Sequence, residues 1–163
     1  MRVYSHLFNV VNVITLSGLS FQVVGAGFEV PGINACKVVT GEEVATLAGG
    51  KMLVKPGSNS FSCNYVIEKE DGSAESYQLT FEVPAQLRAI LDHADSQEKG
   101  KKIEGILDEA YLGRDAMDTQ YEVRALRDDK IGMSVTGDRE EIVLKIAKFA
   151  VTRLPETIPL KMM

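Results

Sequence analysis

The sequence predicts an α+β fold, with an antiparallel, β-rich N-terminal half, then a helix pair, then a β-hairpin and a C-terminal helix in one domain. Three observations carry this. Apolar residues recur at every second position along residues 61–67 and again along 77–83, the period of half-buried strands. A helical stripe of Ile142, Ile146, Phe149 and Ala150 follows an acidic start at Asp138-Arg139-Glu140-Glu141, as an amphipathic helix requires. The length of 163 residues suits one domain of about 100–200 residues.

Before the first clear hairpin, residues 8–16, 20–24, 33–39 and 51–55 are rich in Val, Ile and Phe, with Gly and Pro as punctuation, and are expected as strands. The first of these also fits a helical stripe through Leu7, Val10, Val11 and Ile14; its β-branched residues favour the strand. Thr40-Gly41-Glu42-Glu43 has the spacing of a capping box, and Gly49-Gly50 stops the helix expected over 42–48.

Phe61, Cys63, Tyr65 and Ile67 form one face of a strand, and Tyr77, Leu79, Phe81 and Val83 one face of the next. A two-residue loop between them would mix the faces. A three-residue loop at Asp71-Gly72-Ser73, or a longer odd one, keeps them together; the three-residue form sets Ile67 against Tyr77 and Tyr65 against Leu79.

Pro84 opens a helix with a stripe of Leu87, Ile90, Leu91 and Ala94, and a second helix is expected along Ile103, Ile106, Leu107 and Ala110. A second hairpin spans 121–125 and 131–135, with Asp128 and Asp129 in its turn. The final helix carries acids early and Lys145, Lys148 and Arg153 late, the order that the helix dipole favours, and Pro155 ends it. Hairpin–helix units thus recur at about 61–95 and 120–154.

The net charge of −5 gives no global attraction to nucleic acid, and tryptophan is absent. A chain of this size needs no covalent staple, so Cys36 and Cys63 are expected as reduced, buried thiols. With only His6 and His93 as histidines, a zinc site lacks ligands, and neither metal nor cofactor is expected. The apolar run from Leu7 to Leu19 is broken by Asn9, Asn12, Thr15 and Ser17, which argues against a signal peptide or a membrane span. A cytoplasmic location follows.

Each motif with a chemical reading has a plainer one. Gly25-Ala26-Gly27 begins like a dinucleotide loop, but Val30 replaces the third glycine and Pro31-Gly32 opposes the helix. Gly49-Gly50-Lys51 lacks both the earlier glycine of a phosphate-binding loop, where Ala45 stands, and the following Ser or Thr, where Met52 stands. Glu68, Glu70, Asp71 and Glu75 keep a hairpin tip solvated. Asp92-His93-Ala94-Asp95 is the most enzyme-like cluster, with Arg114 as a further suspect, and it reads as a solvated helix end. Lys99, Lys101 and Lys102, and more loosely Arg124, Arg127 and Lys130, are basic runs without interleaved aromatics.

No catalytic residues are therefore assigned. The favoured reading is a non-enzymatic structural or protein-binding domain in a homo-oligomeric assembly, such as a viral or phage-type shell or tube, with residues 1–24 at the contact. A nucleic-acid binder using the basic runs and a small enzyme around His93 are the alternatives.

Overall fold

The computed structural model describes residues 33–55, 61–96 and 100–155, and all structural statements concern these. The strands expected at 8–16 and 20–24, the expected contact at 1–24 and the Gly25-Ala26-Gly27 motif lie outside them.

The first element corrects the sequence reading. Residues 33–39, expected as a strand, contain a single helical turn, α1 (Ala35–Val38). Ala35 and Val38 are three apart, so one turn places both on the same buried side. A one-turn helix has little stability of its own, and tertiary ties hold this one. Cys36 and Cys63 are joined by a disulfide across 27 positions, which overturns the expectation of reduced thiols. The Tyr65 hydroxyl donates to the Val39 carbonyl at 2.7 Å, and Arg153 donates to the Val38 carbonyl at 3.1 Å. The cysteines have no motif spacing, so nothing in their sequence positions announces the bond.

Helix α2 (Gly41–Ala48) forms as expected, with a complete capping box between Thr40 and Glu43. It ends at Gly49, whose φ of 70° is left-handed. Strand β1 (Lys51–Val54) follows and pairs with β2 (Ser62–Glu68).

The β2–β3 hairpin, with β3 at Ala74–Glu82, keeps the predicted faces at a different register. Tyr65, Ile67, Tyr77 and Leu79 are all buried. Tyr65 lies opposite Tyr77 and Cys63 opposite Leu79, two positions from the expected pairing. The turn explains the shift. Lys69 N–H donates to the Ser73 carbonyl, so the three-residue loop is Glu70-Asp71-Gly72 rather than Asp71-Gly72-Ser73. Its last position needs a positive φ, and Gly72 supplies it at 80°. The Asp71 carboxylate accepts from the Ser73 backbone and hydroxyl. Moving the loop by one residue shifts the register by two, which conserves the buried face.

Helix α3 (Pro84–Ser96) begins at the expected proline. It buries Leu87 and Leu91 against Tyr111 and Leu126, whereas Ile90 of the expected stripe is exposed. The second helix of the expected pair does not form. The chain instead makes β4 (Gly100–Ile103) and β5 (Glu109–Arg114). Positive φ at Gly105 and Leu107 breaks any helix between them. Ile106 and Ala110 still reach the core, so the apolar positions were read correctly but assigned the wrong period.

Strands β6 (Tyr121–Arg127) and β7 (Ile131–Gly137) form the second hairpin, with Asp128 and Asp129 in left-handed turn positions. All pairings are antiparallel, and the order is β1-β2-β3-β7-β6-β5-β4. The two hairpin–helix units therefore share one continuous sheet, joined where β3 meets β7. Helix α4 (Glu140–Val151) packs with α1 and α2 over Cys63, Leu79, Val123 and Met133, while α3 covers the other face, where Tyr111 and Leu126 lie.

In α4, Ile142, Ile146 and Ala150 are buried on the sheet face that includes the second hairpin. Phe149 is only half-buried, and the Arg153 guanidinium lies 4.3 Å from its ring centroid. Ile146→Ala is expected to cost about 2–5 kcal/mol, and Phe149→Ala less than that, because part of its ring already meets solvent. Urea melts of the two variants check the order. Reduction of Cys36–Cys63 in the folded protein is expected to cost about 3.5 kcal/mol, as a loop of this length implies. Melts with and without dithiothreitol measure it, and a loss below about 1 kcal/mol would show that α1 is held without the bond.

Candidate functional site

Among the described residues the sheet ends at β1 and β4, and an open edge must be protected or used. The two edges here differ in chemistry. At β4, exposed Lys101 and Lys102 occupy the centre of the strand, with the Lys102 ammonium 5.9 Å from the Tyr111 ring centroid. Charged side chains in mid-strand oppose pairing with another chain. At β1 the centre is apolar. Leu53 is 51% exposed and Val54 58% exposed, and the exposed Lys51 and Lys55 flank them.

Local backbone geometry gathers this apolar centre. Met52 pairs with Ile67 and Val54 with Val66, so the register slips by one residue at Leu53. Such a bulge sets two residues of one strand against one of its neighbour. Leu53 and Val54 thereby stand opposite Val66, on the sheet face away from α2 and α4. Among the described residues no strand pairs with the outer edge of β1, and neither Lys51 nor Lys55 makes an ion pair there.

Beside the start of β1 lies an open groove of about 540 Å³, lined by Thr46, Gly50, Lys51, Glu68, Lys69 and Glu70 among others. It holds the Gly49-Gly50-Lys51 motif, which follows a helix C-terminus instead of leading into a helix N-terminus as a phosphate-binding loop does. The glycines follow the C-terminus of α2, where carbonyl groups point outward. Lys69 donates to the Ala48 carbonyl, and Arg139 donates to the same atom at 2.6 Å. This helix end therefore gathers cations. Arg139 also pairs with Glu75 at 2.9 Å.

The other sequence candidates are dispersed. Asp92 and His93 are exposed near the end of α3, and Asp95 follows them in the same helix. Arg114 ends β5, where it pairs with Asp118 at 3.0 Å and lies over the Tyr121 ring. Of the basic runs, Arg124 pairs with Glu122, Arg127 donates to the Pro155 carbonyl and Lys130 faces Asp128; Lys99 lies outside the described residues. Of the hairpin acids, Glu75 is bound by Arg139 and Tyr77, and Asp71 by Ser73. No group of three His, Cys, Asp or Glu side chains is placed to hold a metal among the described residues.

Sequence reasoning missed one buried acid, Glu122, on β6 beneath α3. Burial pushes its carboxyl above the usual range, against the opposing pull of Arg124. Arg124 engages both its oxygens, at 3.0 and 2.8 Å. The adjoining cavity, shared with Leu91, Tyr111 and Arg114, is only about 30 Å³, room for about one water. Glu122 reads as a satisfied structural acid.

Comparison of the chain with protein families, curated proteins and solved structures finds no match. No described helix is long and apolar enough to cross a membrane.

The wall of the groove depends on α2, which Glu43 ties to Arg153, just past the end of α4. The Arg153 guanidinium, by hydrogen bonding, holds the Glu43 carboxyl below its ordinary value, with help from the Thr40 N–H and hydroxyl, which both donate to it. A lowered carboxyl contributes stability above its unfolded pKa of about 4.3 and loses it as pH falls through the folded value. Both side chains are about a third exposed, so the contribution stays below about 1 kcal/mol. Denaturation midpoints between pH 6 and pH 3 are expected to fall more steeply for the wild type than for Arg153→Gln. Parallel curves would show that the pair contributes nothing.

Proposed function

We propose that this chain is a non-catalytic protein-binding domain that receives an extended segment of another chain along the outer edge of β1. The observation that carries this is the contrast between the two edges. One presents lysines in mid-strand; the other presents Leu53 and Val54. Strand addition draws affinity from main-chain hydrogen bonds and specificity from side-chain pockets, and β1 offers an edge and the exposed Leu53 and Val54. Self-association, expected from the sequence through residues 1–24, is a separate contact that this edge does not require.

The cystine bears on location. Disulfides persist in oxidising compartments and are rare in the cytosol, so Cys36–Cys63 favours an oxidising compartment over the cytoplasm expected from the sequence. Blocking with iodoacetamide before reduction is expected to leave both cysteines unmodified in protein isolated from its native source. Labelling of both would return the domain to a reducing compartment.

Strand addition is tested with a nine-residue peptide of alternating valine and threonine. Its addition is expected to slow amide exchange at residues 51–55 and leave residues 100–103 unchanged. Equal protection of both edges, or none at either, would remove the docking reading.

A further inference from the structure

The tip of the β2–β3 hairpin carries the one Asp-Gly step of the chain, Asp71-Gly72, and the sequence holds no Asn-Gly. We infer that this step is a covalent modification site, where aspartate isomerises to isoaspartate, and that the folded turn keeps it closed through Ser73. The site stands apart from the docking edge, although Glu70 and Gly72 line the groove beside β1.

The chemistry needs only the chain and water. The Gly72 backbone nitrogen attacks Cγ of Asp71 and loses its proton. The protonated carboxyl expels one oxygen as water, and a five-membered succinimide closes. A water molecule then opens the ring at either carbonyl, so the net composition is unchanged. One opening restores aspartate. The other runs the backbone through the side-chain carboxyl and leaves the α-carboxylate as a side group. Glycine favours the attack because no side chain follows to crowd the nitrogen. Nothing else crowds it: Asp71 and Gly72 are exposed, and a side chain at Gly72 would meet nothing within 4 Å.

Three features of the folded turn oppose ring closure. Attack requires the reacting atoms to lie about 3–3.5 Å apart and correctly aligned. The Gly72 N–H instead donates to the Lys69 carbonyl at 3.0 Å, which retains its proton and points it back across the turn. The Asp71 carboxylate is drawn onto the residue beyond: its Oδ1 accepts from the Ser73 hydroxyl at 2.6 Å and from the Ser73 N–H at 2.9 Å. Those bonds, the hydroxyl's foremost, also hold the carboxyl below its ordinary value. An ionised carboxylate has no hydroxyl to lose as water, so the reactive form becomes scarcer.

Reaction would undo the turn. Isoaspartate adds one methylene to the backbone of a three-residue loop that closes through the Lys69 N–H on the Ser73 carbonyl and uses the left-handed Gly72. Loop length fixes register in a hairpin, so the modified chain no longer fits the pairing of β2 with β3.

The test follows ring opening in heavy-oxygen water, where each event leaves one heavy oxygen at position 71, and separates isoaspartate from aspartate in the released peptide by chromatography with mass spectrometry. Label is expected to enter wild type in concentrated urea at least about tenfold faster than the folded protein, and folded Ser73→Ala about three- to tenfold faster than folded wild type, as loss of one hydrogen bond to a charged group implies. Asp71→Glu, which would need a six-membered ring, is expected to take up no label in urea. Equal labelling of folded and unfolded wild type would overturn the closed turn, and no label in either would overturn the site. Labelling in urea with folded Ser73→Ala no faster than folded wild type would overturn the role of Ser73. Circular dichroism confirms that Ser73→Ala is folded before labelling.

Discussion

Antiparallel pairing of β3 with β7 is the junction on which the rest of the molecule depends. Each strand is the last of its own meander, and their six paired positions convert two small sheets into one of seven strands. Without that ladder, β1-β2-β3 would be a three-stranded fragment near the lower limit of independent stability. With it, Leu79, Phe81, Met133 and Val135 form a continuous apolar surface wide enough for α1, α2 and α4 together. The junction also fixes where the edges fall. Because the meanders join through their last strands, β1 and β4 are forced to the outside. Among the described residues, the strands with a side left to pair are thus the shortest two, each of four residues.

The cystine has a local role within this frame. A chain of this size can fold on its core alone, and the sheet already engages most of the large apolar side chains. What has little stability of its own is α1, a single helical turn, although Ala35 and Val38 are buried in the core. Cys36 anchors it to Cys63 at a fully buried position on β2. Val39 and Val38 are then held through their carbonyls by Tyr65 and Arg153. Desolvation raises the Tyr65 hydroxyl well above its ordinary value, so it remains a donor across the ordinary pH range. Sheet, disulfide and last helix converge on one turn of chain, which sets the path into α2 and hence the groove beside β1.

The sequence was legible wherever a single local rule decided the structure. The capping box at Thr40 and Glu43, the proline before α3, the acidic start of α4 and the apolar faces of both hairpins all appear as read. It misled where tertiary context overrode local preference. Residues 33–39 carry β-branched side chains yet turn as a helix, because burial of Ala35 and Val38 and the bond at Cys36 outweigh propensity. Residues 103–110 space their apolar side chains helically, but Ile106 is buried from a loop and Ala110 from a strand. Register was recoverable only in parity, since the choice of loop depended on which residue took the left-handed position. The candidate site was legible only in its residues. Lys51-Met52-Leu53-Val54-Lys55 is visible as a strand, but that β1 is an edge and Ile131–Gly137 a centre is a property of topology, and no local pattern encodes it.

That topological fact gives the two lysine pairs opposite meanings. Lys101 and Lys102 are adjacent, so successive side chains point to opposite faces and place charge on both sides of β4 at its midpoint. A strand approaching there meets an ammonium group on either face, whichever register it chooses. Lys51 and Lys55 are separated by three apolar residues, and the bulge turns two of these toward Val66. An approaching strand here meets an apolar centre first and charge only at its ends. In the first arrangement charge opposes pairing at mid-strand; in the second the middle of the strand carries no charge. Placement within the strand, rather than the number of lysines, distinguishes the two edges, and it is the reason docking is proposed at β1 and not at β4.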